Sequence, residues 1–315
     1  MRIVYMGTPE IAARVLQSVS RLPVEIVGAF TQPDKPVGRG RVLTKPPVKV
    51  LAEQLGIPVF QPKRVKGAKA METLRQLKPD LILVTAYGQL LSQAILELPA
   101  FGCLNMHASL LPKYRGAAPI QWAIVRGETE TGVTAMQMDI GMDTGDMLRK
   151  VKVPIAPQET ANSLYEKLAD AAAALACEVV KDLLQGKPLV RTPQPEAQAT
   201  YAPIIQKEDG KADWQMSAEQ LERRVRGLCG WPGVYALLDG KKLTILEAAA
   251  LPENGSKAPG TVLEDALEGK HPHLYVQTGN GILWIKRLQL QGKKAMDDEA
   301  FLRGNPMKGK TLCSG

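Results

Sequence analysis

Residues 2–6 are mostly apolar and strand-like, Gly7-Thr8-Pro9 follows, and apolar positions then recur at helical spacing over 11–22. Residues 24–30 are again strand-like. Strand, helix and strand in this order predict a parallel sheet with helices on its faces. The rhythm continues with a short helix at 48–55, a short strand at 58–60 and a helix at 68–77. Residues 80–85 (DLILVT) are almost continuously apolar, as expected of a strand covered on both sides. Residues 103–107 read as the next strand, 117–126 as a helix, and 131–138 and 147–153 as two further strands. A long helix is expected over 161–185, with Thr160 as its cap and Gly186 as its stop.

The pattern changes after residue 186. Residues 187–203 contain four prolines and no periodicity, and read as an interdomain linker. A helix is expected at 217–228 with Ser217 as its cap, then short strands at 234–238, 242–250, 260–264, 274–278 and 282–289. Asp239-Gly240 and Gly279-Asn280-Gly281 mark turns between them. Short strands at this spacing predict a small antiparallel barrel, OB-like in kind. The fold class is therefore α/β: a Rossmann-like domain with a mostly parallel sheet over 1–186, the linker 187–203, and a smaller OB-like β-barrel over 204–315.

A hydrophobic fraction of 45% in 315 residues is enough for packed cores. There is no apolar run of about 18 residues, so no membrane span is expected. The first residues, MRIVYMG, lack the apolar core of a signal peptide. Four scattered cysteines without a CxxC pair fit a reducing cytoplasm and argue against a zinc site. Net charge is +8, and its placement says more than its size. Residues 35–69 hold nine Lys or Arg against Glu53 alone, while the rest of the chain is balanced. Such a patch suits a polyanion, with a solvated lysine-rich face as the alternative. Much of it lies on 31–47 (TQPDKPVGRGRVLTKPP), whose four prolines and two glycines predict a long irregular loop. Gly38-Arg39-Gly40-Arg41 presents two guanidinium groups suited to phosphates; a plain mobile surface loop is the alternative. The first βα turn reads GTPEIAA, without the GxGxxG of dinucleotide sites. The segment Ala86-Tyr87-Gly88-Gln89-Leu90-Leu91 follows the C-terminal end of a buried strand, where α/β sheets bind ligands, so it is either a pocket wall or loop packing.

Most of the chemistry is concentrated between Gly102 and Asp146. Asn105 and His107 are two apart in an apolar strand, so their side chains share a face. A turn, Ser109-Leu110-Leu111-Pro112, follows, and the loop from Asp139 to Asp146 offers the carboxylate of Asp143. Histidine moves protons in both directions near neutrality, a carboxylate favours its protonated form, and an asparagine amide donates to a developing oxyanion. Taken singly, each residue is more often structural. No serine or cysteine is placed as a nucleophile, so the attacking group is expected to belong to a substrate, in an acyl-like transfer. His271 and His273 fall in a loop, and no metal site is expected there.

Asn105-Met106-His107, Ser109 to Pro112, Arg115-Gly-Ala-Ala-Pro-Ile-Gln121 and the Asp143 loop together closely resemble the folate-dependent formyltransferases. Gly7-Thr8-Pro9, Thr31-Gln-Pro-Asp34, Ala86-Tyr87-Gly88 and Gly292-Lys-Lys-Ala-Met296 extend the resemblance over nearly the whole chain. The basic loop and the C-terminal barrel point to the methionyl-tRNA branch. The resemblance implies a cytoplasmic enzyme of translation initiation, with 10-formyltetrahydrofolate as co-substrate and initiator methionyl-tRNA as partner. No metal is implied, and a monomer is expected. Asn105, His107 and Asp143 would be catalytic. Ser109, Leu110, Leu111, Pro112, Tyr87, Gly88, Gln89, Leu90, Asp139 and Gly141 would bind folate. Arg39 foremost, with Arg41, Lys35 and Lys45, would approach the tRNA acceptor end. Ala108 stands where the family is expected to have glycine, and Met106 where valine is frequent; both touch only the fine shape of the pocket. A formyltransferase acting on a small amine, a hydrolase releasing formate, and a non-catalytic RNA-binding protein remain as rivals at this point.

Overall fold

The computed structural model describes residues 1–38, 40–253, 255–263, 273–307 and 309–314. In chain order its elements begin β1 (Arg2–Gly7), α1 (Glu10–Val19), β2 (Glu25–Phe30), β3 (Lys35–Val37), β4 (Val42–Thr44), α2 (Pro47–Gln54), β5 (Val59–Phe60) and α3 (Ala68–Leu77). There follow β6 (Leu81–Thr85), α4 (Gln93–Leu96), β7 (Cys103–His107), β8 (Arg115–Gly116), α5 (Pro119–Val125), β9 (Glu130–Gln137), β10 (Met147–Pro154), α6 (Ala161–Leu184) and β11 (Tyr201–Ala202). The last part runs α7 (Ala218–Gly227), β12 (Val234–Leu238), β13 (Lys241–Leu251), β14 (Val262–Leu263), β15 (Tyr275–Gln277), β16 (Ile282–Leu290), β17 (Met296–Asp297), α8 (Asp298–Gly304) and β18 (Cys313–Ser314).

The contacts divide the chain into two compact units. The first comprises Met1–Pro119, Glu130–Pro154 and Tyr165–Ala202. It holds a seven-stranded sheet in the order β10-β9-β7-β6-β1-β2-β5. β1, β2, β5, β6 and β7 run parallel to one another, β9 is antiparallel to β7, and β10 is antiparallel to β9. The mostly parallel, Rossmann-like expectation is thus met. β6 is buried at every position, which is why its sequence shows no alternation. Phe30, Met71, Leu74, Ile82, Tyr87 and Ile95 pack into one core on this sheet.

Two parts of this unit differ from the sequence expectation. Within 31–47 the chain forms a hairpin, β3 with β4, pairing Lys35 with Thr44 and Val37 with Val42. A two-stranded ribbon tolerates Pro36 because half of its backbone N–H groups need no ladder partner. At the foot of the hairpin Lys49 binds Asp34 at 2.8 Å and Gln61 at 2.9 Å. Lys49, and after it Gln61, hold the Asp34 carboxyl below the usual carboxylate range. Residues 187–202 are also not free of contacts: Thr192 bridges Met147, and β11 pairs with β8.

The second unit comprises Ile120–Thr129, Ile155–Leu164 and Pro203–Gly315. Its antiparallel strands follow the order β14-β15-β16-β13-β12-β18, with β17 on β16. Val262 donates its N–H to the carbonyl of Lys310 at 2.9 Å, and Leu312 to that of Gly260 at 2.8 Å. Residues 310–314 therefore join both edges of the sheet, closing the barrel expected as OB-like. Ser217 caps α7, accepting from the N–H of Gln220, whose side chain returns a bond to the Ser217 N–H. His273 binds Asp298 at 3.0 Å, and the same carboxylate oxygen accepts from Leu274 N and Trp284 Nε1. This is a structural role for His273; His271 lies outside the described residues. Among the described residues no three or more His, Cys, Asp or Glu side chains converge as a metal site would need, and no helix is long and apolar enough to cross a membrane.

Candidate active site

β7 delivers Asn105 and His107 to one face. His107 is buried and Asn105 partly exposed. The two rely on different neighbours. His107 Nε2 lies 2.9 Å from the carbonyl oxygen of Tyr114. A carbonyl can only accept, so Nε2 carries a hydrogen, and proton exchange at this ring is confined to Nδ1. Nδ1 faces Asp143 Oδ2 at 3.6 Å. The same Oδ2 accepts the backbone N–H of Gly116 at 2.9 Å, and Asn105 Nδ2 approaches Oδ1 at 3.5 Å. Amide, imidazole and carboxylate thus meet, although Asp143 is 36 residues from His107 along the chain. A bare Nδ1 and a carboxylate oxygen repel each other, so the pair is suited to hold one exchangeable proton between them. The 3.5 and 3.6 Å separations are of the long kind that tighten when a substrate is bound.

The turn after β7 is fixed from behind. Ser109 Oγ donates to Lys113 O at 2.7 Å, and Thr134 Oγ1 donates to Ser109 O at 2.7 Å while accepting from Leu111 N at 3.1 Å. Ser109 and Leu111 have almost no exposed surface, and Leu111 packs on Met136 and Met147. Leu110 lies against Gly132, and Pro112 is buried. As side chains, Ser109 and Leu111 offer a ligand no surface.

In the loop after β6, Tyr87 is buried and its carbonyl accepts from Thr8 Oγ1 at 3.0 Å and Gln32 Nε2 at 3.1 Å. Burial pushes the Tyr87 phenol well above its ordinary range, and its hydroxyl has no hydrogen-bond partner. Gly88 takes a left-handed conformation, φ +81°. Gln89 clamps the neighbouring loop, accepting from Val65 N at 2.7 Å and donating to Pro62 O at 3.1 Å. Leu90 is exposed, as are Ile140 and Met142 on the Asp143 loop. Asp139 Oδ1 accepts from Gly141 N at 3.1 Å and Thr144 Oγ1 at 2.7 Å, so these groups serve the loop itself. At Gly145 a Cβ would lie 1.9 Å from Gln137 O, so only glycine lets the loop return to the strand.

Sequence reasoning missed what braces the site. Tyr114 takes its N–H to Thr200 Oγ1 at 2.9 Å, and Arg115 takes its own to Thr200 O at 2.9 Å. Gln194 reaches the backbone of Asp143. Both glutamine and threonine come from the segment expected to be a linker. Arg115 lay in the quoted motif, and its burial, 1% exposed, is unusual for a cation. Of the basic residues expected to meet tRNA, Lys35 and Arg41 are exposed on the hairpin and Lys45 binds Glu53 at 2.7 Å. Arg39 lies outside the described residues.

A family model described as Formyl transferase matches residues 1–180, and another, Formyl transferase, C-terminal domain, matches 204–306. The methionyl-tRNA formyltransferase of Geobacter sulfurreducens is 46% identical over 304 residues, covering 96% of this chain and 94% of that protein. The chain belongs to the methionyl-tRNA formyltransferase family. Its relative of that name in Desulforamulus reducens is 48% identical over 314 residues, covering 99% of this chain and 97% of that protein. Among solved structures, an N-formyltransferase from Helicobacter canadensis, in complex with folinic acid and dTDP-3-aminofucose, superposes with a TM-score of 0.66. It is 18% identical and covers 90% of this chain and 98% of its own. HypX from Aquifex aeolicus, in complex with tetrahydrofolic acid, gives a TM-score of 0.62 at 20% identity over 96% of this chain. This chain spans 47% of HypX. At these identities the two structures share the formyltransferase fold with this family member.

Proposed function

We propose that this protein transfers the formyl group of 10-formyltetrahydrofolate to the α-amine of methionyl initiator tRNA, for translation initiation. The observation that carries the reading is the convergence of Asn105, His107 and Asp143, within a chain that matches the methionyl-tRNA formyltransferases over nearly its whole length. The attacking nitrogen belongs to the acceptor. An α-amine has a pKa near 7.7–8.0 in peptides, so an appreciable part, roughly a tenth, is already neutral at about pH 7 and needs little activation. The bond from the formyl carbon to the acceptor nitrogen forms as the bond to the folate nitrogen breaks. One proton must leave the amine and one must reach the departing nitrogen. Asn105, partly exposed, donates to the developing oxyanion. His107 and Asp143 take up and return the proton through Nδ1, since Nε2 is committed to Tyr114.

The residues present suit a folate donor. Ile140 and Met142 leave apolar surface on the loop that carries Asp143, and Leu90 does so on the loop after β6, while buried Tyr87 packs that loop onto the sheet. Gly88, Gln89, Asp139 and Gly141 shape the loops that carry this surface, and Ser109 to Pro112 set its wall from behind. Lys35, Arg39, Arg41 and Lys45 meet the acceptor arm of the tRNA. The chain works as a cytoplasmic monomer, with residues 1–186 carrying the chemistry, 204–315 holding tRNA, and 187–203 connecting them. The deciding experiment offers labelled formyl donor to methionyl-tRNA, free methionine and glycinamide ribonucleotide in parallel. Label in methionyl-tRNA alone is expected. Label in a small amine, or formate released without acceptor, would refute the reading.

A further inference from the structure

Gln194 comes from a segment whose prolines and lack of periodicity suggested a passive connection, yet both donors of its side-chain amide go to the loop that carries Asp143. Its amide nitrogen donates to the carbonyl of Asp143 at 2.8 Å and to that of Gly145 at 2.7 Å. Its amide oxygen accepts from Arg115 Nε at 3.0 Å. A primary amide has two donors and one carbonyl, so no rotation of the group satisfies all three partners except this one. Arg115 in turn is fixed at its other end by Glu196, at 2.9 and 3.1 Å from Nη1. Because Arg115 is buried and Glu196 exposed, the arginine defines the position and the glutamate follows it.

What this brace holds is strained. Asp143 has φ +56°, the left-handed region that non-glycine residues enter infrequently. Asp143 also needs its carboxylate in one place, between Gly116 N, His107 Nδ1 and Asn105 Nδ2. An unbraced loop would relax toward negative φ and swing the carboxylate away from all three.

We infer that Gln194 is a positioning residue for the transfer reaction: it pins the backbone of Asp143 and Gly145, and thereby aims the Asp143 carboxylate at His107. The inference rests on the reading of Asp143 given above. Gln194 acts through Asp143 and touches no reacting atom.

The test is a double-variant cycle on the full chain, with kcat and both KM values measured for formyl transfer to methionyl-tRNA. Gln194→Glu keeps the shape and the acceptor for Arg115 while deleting both donors, and Gln194→Met removes the polar contacts without adding charge. Each is expected to lower kcat by about 10- to 100-fold, the scale of a displaced catalytic group, with both KM values within about threefold of wild type. In an Asp143→Ala background, Gln194→Met is expected to cost less than about threefold more, because the group it positions is gone. Undiminished kcat in both single variants would overturn the inference, as would losses that multiply in the double variant. Loss of the folded state in both, seen as collapse of the thermal transition, would also overturn it by showing a purely structural role. Wild-type kcat in Asp143→Ala alone is a different failure: it removes Asp143 from the mechanism and the reading above with it.

Discussion

Around Asp143 nearly every polar atom has a partner from the protein, whereas on the hairpin even Val42 and Leu43 are about two-thirds exposed. Both regions belong to the first unit and both are read as touching a substrate. They meet different demands. Proton transfer and oxyanion stabilisation fall off within tenths of an ångström, so the centre is built from crossing hydrogen bonds contributed by residues 105, 107, 114, 116, 143 and 194. Capture of a polyanion depends on charge over distances near the Debye length, so a ribbon anchored at its foot by Lys49, Asp34 and Gln61 is enough. The same contrast separates the effects that substitutions should have.

The largest effect belongs to the centre. Asn105→Ala and His107→Ala should each lower turnover by about 10²- to 10³-fold, as loss of an oxyanion donor or an acid/base group does. Steady-state kinetics at saturating donor and acceptor measures this, and near wild-type turnover in either variant removes that residue from the chemistry. Next comes Gly145→Ala, which forces a methyl group against Gln137 O. A cost of about 1–3 kcal/mol in stability is expected from thermal or urea unfolding, together with slower turnover as Asp143 shifts. An unchanged unfolding curve would show that the loop has room to move.

The hairpin should respond differently. Arg39→Ala and Arg41→Ala should leave folding and donor KM alone, raise the KM for tRNA, and each reduce the slope of log affinity against log salt by about one. An unchanged slope would disconnect the hairpin from the acceptor. The smallest effect is a gain. Glu53 is the only acid among residues 35–69 and occupies Lys45 in an exposed pair. Such pairs contribute about 0–1 kcal/mol, so Glu53→Gln should scarcely change stability while tightening tRNA binding and steepening its salt dependence. Weaker tRNA binding in this variant would count against a simple charge role for Lys45.

How far the sequence could be read follows from how local each interaction is. Ala68–Leu77 and Cys103–His107 carry their period within themselves, and their boundaries were legible. Asn105 and His107 share a strand, and Asp143 was reached through a motif. The hairpin was hidden because Pro33 and Pro36 normally break strands, and a two-stranded ribbon has no core to impose alternation. β18 was hidden because residues 310–314 take their conformation from the two sheet edges they join rather than from their own apolar pattern. The brace was the least legible feature. Gln194 sits among prolines, and its contact with Asp143 spans 51 residues, so nothing beside it in sequence signals its task.

The most direct test is a single-turnover measurement of formyl transfer to methionyl-tRNA, at saturating enzyme and over a range of salt, comparing Asn105→Ala with Arg41→Ala. Asn105→Ala should slow the chemical step at every salt concentration and leave the salt slope of tRNA binding unchanged. Arg41→Ala should transfer formyl at the wild-type rate once bound and bind tRNA with a shallower slope. A slowed chemical step in Arg41→Ala, or a wild-type step in Asn105→Ala, would contradict the division between a braced centre that does the chemistry and an exposed ribbon that holds the acceptor.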